Sequence, residues 1–378
     1  MAEISVTRTI QVPDPLRLSR YSKIPELGPR LLFFSGGTAL NGLSRLLKEF
    51  THNSIHMMTP FDSGGSSAPL RRAFDMPAIG DLRSRLMALA DETVLGNPQV
   101  YRLFNHRFPR QSPDAELRAE LLAMCQGQHE LIAEIPNPMR QLICNQLEKF
   151  AAAIPETFDL GGASIGNLIL TGGYLGSHHN LDVTLFLFSK LVNAHGSVCA
   201  IVEDRLHLGA VLADGSEIIG QHRMTGKEVA HITTPISEVF LSASPHERIP
   251  ASASLPPRNR RTIRNADLIC YPPGSFYSSL LANLIPEGAG ASIAANGCPK
   301  VYVPNLGSDP EQLGMSLEQS VRTLLARLHS DAPGRYSDTD VLNYVMLDSR
   351  NGHYPFETEG KIPRNLGVEI IDIPLVSE

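Results

Sequence analysis

The sequence contains no apolar stretch approaching the ~20 residues that a membrane-spanning helix needs. The most apolar candidate, Leu181 to Val192, is interrupted by Asp182, Ser189 and Lys190 and reads as a buried helix. Met1 to Gln11 lacks a basic start followed by an apolar run, so no secretory signal is expected there. Cysteine is sparse and scattered: Cys125, Cys144, Cys199, Cys270 and Cys298 show no paired short spacing, which excludes a disulfide framework and a cysteine zinc site. Reduced core thiols and a cytoplasmic location are the expectation. Basic charge is not in excess either. With 33 Lys and Arg against 39 Asp and Glu, the net charge of -6 argues against a nucleic-acid partner. Neither GxGxxG nor GxxxxGK[ST] occurs, so both standard nucleotide loops are excluded. There is no 20–50-residue repeat and no low-complexity tract.

What is present is a chain of 378 residues, 42% hydrophobic and 19% charged, long enough to bury a large core. Leu31 to Phe34 is a short continuous apolar run, the signature of a strand buried on both faces. Ser35-Gly36-Gly37-Thr38 breaks it, and Leu40, Leu43, Leu46 and Leu47 then recur at helical spacing. A second run, Ile55 to Met58, leads into Asp62-Ser63-Gly64-Gly65-Ser66-Ser67. Strand, glycine turn, helix, strand, glycine turn is the βαβ grammar of a doubly wound sheet. Asp81 reads as the N-cap of a helix carrying Leu82, Leu86, Leu89 and Ala90. Asp214-Gly215 reads as a hairpin turn. The last third repeats the opening grammar at Asp267–Tyr271, Val301–Val303, Tyr344–Leu347 and Val368–Ile373. The expected fold is therefore α/β and Rossmann-like, a mostly parallel sheet with helices on both faces. A leader over residues 1–29 and one domain over 30–378, with a helical insertion near 92–160, complete the expectation.

In open α/β sheets ligands bind at the carboxyl ends of the strands. Four polar turns follow expected strands: Ser35 to Thr38, Asp62 to Ser67, Pro273-Gly274-Ser275 and Pro304-Asn305. Together they would enclose one cleft. In the first, Gly36 and Gly37 let backbone N–H groups approach an anion at a helix start, and Thr38 adds a hydroxyl. Gly64, Gly65 and Ser66 do the same in the second. Asp62, among small residues, is placed to hold Mg²⁺ at a phosphate or to orient a hydroxyl nucleophile. Of Arg71, Arg72, Arg83 and Arg85, only Arg83 follows a glycine turn closely enough to single out as a diphosphate ligand. The adjacent His178-His179 lacks a suitably spaced partner for metal binding, and Ser66-Ser67 has no His/Asp context for a nucleophile.

Taken in order, the segments SGGTAL (35–40), FDSGGSSAPLRR (61–72), IGDLRSRLMALAD (79–91), GNLIL (166–170), ADGSEIIG (213–220), PPGSFYSSLLANL (272–284) and PKVYVPN (299–305) resemble the CofD-like superfamily. That group includes the 2-phospho-L-lactate transferases of deazaflavin-coenzyme synthesis and the bacterial gluconeogenesis factors. The resemblance implies a nucleotide-diphosphate ligand in the cleft, with Mg²⁺ in the transferases and a uridine-diphosphate sugar acting as a regulator in the other branch. It implies that Thr38 meets phosphate and that Asp62 is the acidic residue at ligand or metal. It further implies that Gly80-Asp81 and Arg83 line the cleft, that Asn167 orients a neighbour, and that Gly274, Ser275 and Tyr277 close on the nucleotide side; Asn305 belongs to the last turn. Two departures stand out. Ser35-Gly36-Gly37-Thr38-Ala39 replaces the usual GGGTG, and Asp62-Ser63 replaces two adjacent aspartates. A homodimer is compatible with the sequence, in which no heptad or exposed apolar stripe specifies an interface.

Overall fold

The computed structural model describes residues 11–93, 95–226, 231–356 and 367–376; residues 1–10 of the expected leader lie outside them. The strands are β1 (Leu31–Ser35), β2 (Ile55–Met58), β3 (Ser197–Ala200), β4 (His207–Leu212), β5 (Glu217–Ile219), β6 (Ile236–Ser242), β7 (Pro250–Ala251), β8 (Leu268–Tyr271), β9 (Lys300–Tyr302), β10 (Tyr344–Leu347) and β11 (Glu369–Asp372). Seven of them form one sheet in the order β11-β10-β9-β8-β1-β2-β3, and every pairing in it is parallel. The remaining four, β5-β4-β6-β7, make a separate antiparallel sheet. The expected hairpin at Asp214-Gly215 joins β4 to β5 and so belongs to this second sheet.

Around the sheets run α1 (Pro15–Lys23), α2 (Asn41–Leu47), α3 (Ser67–Phe74), α4 (Gly80–Leu89), α5 (Pro98–Asn105), α6 (Asp114–Cys125), α7 (Glu130–Ala133), α8 (Met139–Ala153), α9 (Ile165–Gly176), α10 (Leu181–Leu191), α11 (Gln221–Thr225), α12 (Pro257–Arg264), α13 (Ala289–Ala294), α14 (Leu317–His329) and α15 (Asp338–Val341). Side chains alternate across a strand, and that alternation divides the core. Leu32, Phe34 and Met57 enter a cluster with the second sheet, α12 and α14, whereas Met58, Val198 and Ala200 enter one built by α3 to α10. Helices therefore cover both faces. No helix among the described residues is long and apolar enough to cross a membrane.

Order reversal places the site. From β1 the chain moves outward through β2 and β3 on one side, while β8 to β11 extend on the other. Leu32 sits opposite Ile55 on β2 and Ile269 on β8. The carboxyl ends of β1 and β8 thus meet at a topological switch point, where sheets of this type leave a crevice.

Two sequence expectations need correction. Leu43 and Leu46 are exposed on α2, and only Leu40, just before the helix, is buried, against Phe33 and Cys270. The helix is seated by Leu40 and by the partly buried Leu47, which packs on the same cluster. Leu181–Leu191 is amphipathic: Leu181, Leu185 and Phe188 are buried while Val183 and Phe186 face outward. Its interrupting polar residues marked an exposed face. Leu40→Ala is expected to destabilise the protein by about 2–5 kcal/mol in urea denaturation, and Leu46→Ala, at a side chain 60% exposed, by no more than about 0.5 kcal/mol.

Candidate functional site

The first turn is shaped by Gly37, whose φ of +55° is a left-handed conformation that a side chain would strain. Its N–H donates to Asp81 Oδ2 at 2.9 Å, and its carbonyl accepts from Arg85 Nη2 at 3.3 Å. Arg85 is fully buried and also donates to Ser44 Oγ at 2.6 Å. Burial lowers its pKa to about 10. Asp81 is therefore not an N-cap. It lies inside α4, whose N-cap is Ile79, and its carboxylate holds the first glycine turn instead.

The second turn is pinned in the same manner. Arg71 Nη1 donates to the carbonyls of Phe61 and Asp62, and Nη2 donates to that of Leu206. Asp62 Oδ1 accepts the Gly64 N–H at 3.1 Å. Arg83 reaches the same region from α4. Its Nε donates to Asn167 Oδ1 at 2.8 Å and its Nη1 to the Phe104 carbonyl at 3.1 Å. Asn167 Nδ2 in turn donates to Ser66 Oγ at 2.9 Å, so one amide links Arg83 to the second turn. Gly166 makes room for this path, since a Cβ there would lie 2.7 Å from Arg83 Cδ and 2.6 Å from the Phe104 carbonyl oxygen. Burial first, and the neighbouring Arg107 second, lower the Arg83 pKa to about 10. A guanidinium whose charge is disfavoured by burial and by a second guanidinium beside it is one that a nearby anion would stabilise.

These elements enclose a cleft of about 300 Å³. Of the residues expected from sequence, Gly36, Gly37, Thr38, Asp62, Gly64, Gly65, Ser66, Asp81, Arg83 and Ser275 line it. Asn167 supports it from behind. Gly274, Tyr277 and Asn305 do not line it. Asn305 clasps Gly274 instead, accepting its N–H at 2.8 Å and donating to its carbonyl at 2.7 Å. Tyr277 is buried, with its hydroxyl donating to the Ile236 carbonyl at 3.1 Å.

Carboxylates of the protein already occupy the amides that follow β8. Asp309 Oδ2 accepts from Phe276 N–H, and Glu311 Oε2 accepts from the N–H groups of Tyr277 and Ser278, each at 2.8 Å. The Ser278 hydroxyl donates to Glu311 Oε1. Residues 276–281 form a π-helical turn, and this clamp holds it so that Ser275 and Ser279 face the cleft.

Two larger hollows flank these elements. One of about 640 Å³, with Tyr302, Asn305, Met315, Tyr354 and Phe356 in its wall, lies beyond β9 and β10. Another of about 620 Å³, lined by Pro69, Leu70, Phe108, Phe158 and Leu168, shares Gly65, Ser66 and Arg107 with the cleft.

Mg²⁺ takes one or two carboxylates, with ligand phosphates and water completing its shell. The cleft offers Asp62, with Oδ1 in its turn, and Asp81, with Oδ2 on Gly37. Among the described residues no group of three or more His, Cys, Asp or Glu is placed to hold a metal ion, His178 and His179 included. The residues fit a cation that shares Asp62 with ligand phosphates, and they form no all-protein cage.

Sequence reasoning missed Arg107, Gln221, His222, Thr225 and Ser279 as lining residues. Arg107 follows α5 without any glycine turn to mark it. Gln221 begins one residue beyond the ADGSEIIG segment.

The fold is that of a doubly wound α/β protein with a crevice lined by glycine turns, serines and arginines at its switch point. Residues 31–376 match the profile of the family described as 2-phospho-L-lactate transferase CofD, and the chain belongs to that family. A gluconeogenesis factor of Bacillus subtilis is 26% identical over 358 residues, 92% of each protein. One from Halalkalibacterium halodurans is 28% identical over 278 residues, 73% of this chain and 66% of that protein. A Nostoc sp. relative is 28% identical over 85% of this chain, which spans only 59% of that longer protein. The crystal structure of a upf0052-family protein from Bacillus halodurans, 23% identical, superposes with a TM-score of 0.63 over 92% of both chains and has the same fold.

Glu311 generates a pH prediction. Burial, and then Asp309, raise its pKa from 4.5 to about 7. The folded state therefore holds a proton that the unfolded state has released between those values, and stability falls as pH rises from about 4.5 to 7. Glu311→Gln is expected to flatten that part of the stability-versus-pH profile, by up to about 3 kcal/mol between pH 4.5 and 7.5, in urea denaturation at stepped pH. Parallel profiles for the two proteins would contradict this.

Proposed function

We propose that the cleft binds a nucleotide-diphosphate ligand and that the protein acts as a 2-phospho-L-lactate transferase-type phosphotransferase. The observation that carries the binding reading is the pair Arg83 and Arg107, facing a crevice of glycine turns and serine hydroxyls. Arg83 uses Nε and Nη1 on protein acceptors and keeps Nη2 for the cleft. A guanidinium fork held in this manner suits a diphosphate. The diphosphate would lie between Gly36–Thr38, Ser66 and the two arginines. The apolar hollow that shares Gly65, Ser66 and Arg107 with the cleft is large enough for the ring system of an acceptor alcohol.

In this reading Asp62 accepts the proton of the acceptor hydroxyl. The hydroxyl oxygen forms a new bond to the phosphorus that carries the lactyl group. The bond from that phosphorus to the bridging oxygen breaks, and a nucleoside monophosphate leaves with the electron pair. Arg83 and Arg107 stabilise the charge that gathers on the leaving oxygen. Mg²⁺ held by Asp62 and the phosphates would supply further neutralisation of the diphosphate.

A second reading, a non-catalytic nucleotide-sugar sensor, is favoured by the single carboxylate of Asp62-Ser63 and by the gluconeogenesis-factor name of the relatives. Thermal-shift measurements with guanosine- and uridine-diphosphate compounds, followed by assay for released nucleoside monophosphate, separate the two. A ligand at a hundred times its Kd stabilises the native state by about 2.7 kcal/mol. Arg83→Met is expected to weaken binding by at least about 30-fold, the cost of removing one partner of a buried charged contact. Asp62→Asn is expected to keep binding within about threefold while losing at least about 100-fold in monophosphate release. Undiminished release by Asp62→Asn would remove Asp62 from the chemistry, and stabilisation by a uridine-diphosphate sugar without any release would establish the sensor.

A further inference from the structure

The second sheet contributes one element to the cleft. Gln221, His222 and Thr225 of α11 line it. Gln221 is 6% exposed, and its Nε2 donates to the Ser278 carbonyl at 3.4 Å, which sets the orientation of the amide. Its Oε1 is buried with no hydrogen-bond partner. A buried acceptor left without a donor is destabilising, and each such group calls for an explanation. In the wall of a cleft, the explanation is a donor that arrives with the ligand.

His222 stands beside it with a defined ring. Ser63 Oγ lies 2.8 Å from His222 Nδ1 and accepts the His222 backbone N–H at 3.4 Å. When the Ser63 hydroxyl donates to Nδ1 while Oγ accepts the backbone N–H, the neutral ring carries its proton on Nε2. Gly220 permits the approach at a φ of +107°, where a Cβ would lie 2.8 Å from His222 Cε1 and 3.2 Å from Ser63 Oγ. An aspartate at position 63 would only accept, and would hold Nδ1 protonated. A serine can donate, and when it donates to Nδ1 the edge of the ring away from Ser63 is a donor.

We propose that α11 is a recognition wall for the ligand, in which His222 Nε2–H donates to an anionic oxygen and Gln221 Oε1 accepts a hydroxyl. Ser63, which does not line the cleft, is a positioning residue that sets the tautomer of His222. The inference rests on the diphosphate-binding reading above and adds the residues that select within it.

The test is isothermal titration of the full chain with two probes, inorganic pyrophosphate and GDP, alongside ¹⁵N spectra of the histidine rings in the free protein. His222→Ala is expected to weaken both probes by about tenfold or more, and His222→Gln, which places an amide N–H near the Nε2 position, to stay within about threefold. Gln221→Leu is expected to weaken GDP by about fivefold or more while pyrophosphate, which offers no ribose hydroxyl, stays within about twofold. The free-protein spectrum is expected to show His222 as the Nε2–H tautomer, and Ser63→Ala to mix the two tautomers. Binding of both probes within twofold of wild type by His222→Ala and Gln221→Leu, with unchanged Tm, would overturn the proposal. So would an Nδ1–H tautomer in the wild-type protein. If the wild-type protein binds neither probe, the diphosphate-cleft reading fails first, and the tautomer spectrum alone then decides the role of Ser63.

Discussion

The cleft depends on buried arginines whose hydrogen bonds run to carbonyl, amide and hydroxyl oxygens rather than to carboxylates. Arg85 holds the Gly37 carbonyl and Ser44, Arg71 holds the carbonyls of Phe61, Asp62 and Leu206, and Arg83 holds Asn167 and the Phe104 carbonyl. Each fork fixes backbone that would otherwise be a mobile loop. Asp62 and Asp75 near Arg71, and Asp81 near Arg83 and Arg85, favour the charges from a distance, and of the three only Arg83 lines the crevice. Burial disfavours those charges, as the lowered pKa values of all three arginines record. An anion placed beside Arg83 would relieve part of that cost.

The same principle runs in reverse on the far side of the switch point. There the backbone donors after β8 are met by Asp309 and Glu311, so the protein supplies its own acceptors where the sequence would have let a ligand bind. This is why Gly274, Tyr277 and Asn305, which follow β8 and β9, serve as framework. A turn of glycine and serine after a strand signals exposed N–H groups, but it does not say which carboxylate reaches them. Asp309 and Glu311 lie more than thirty residues downstream, and their arrival is a matter of tertiary structure.

That contrast marks how far the sequence could be read. The apolar run Leu31–Phe34, the glycine turn after it and the repeat of that grammar at Ile55 and Asp267 are local patterns with local causes, and they place the parallel sheet and most of the cleft floor. The order of the strands and the separation of β4 to β7 into a second sheet depend on long-range packing that no spacing encodes. Asp81 shows the difference at a single residue. Its position at a helix start is plain from sequence, yet its carboxylate turns to Gly37, forty-four residues earlier. Arg107 carried no glycine or periodic signal, and His222 lies just past the glycine that ends the ADGSEIIG segment. They come to the cleft because α5 and the second sheet bring them there.

In the proposed function the diphosphate of a nucleotide sits at the switch point, between the Gly36–Gly37 turn and Arg83. A crystal structure of the protein soaked with GDP tests it most directly. Density for both phosphates is expected within hydrogen-bond distance of the cleft, with at least one oxygen on Arg83 Nη2. Phosphate density in the hollow beyond β9 and β10 instead, with the cleft filled only by water at saturating GDP, would contradict it.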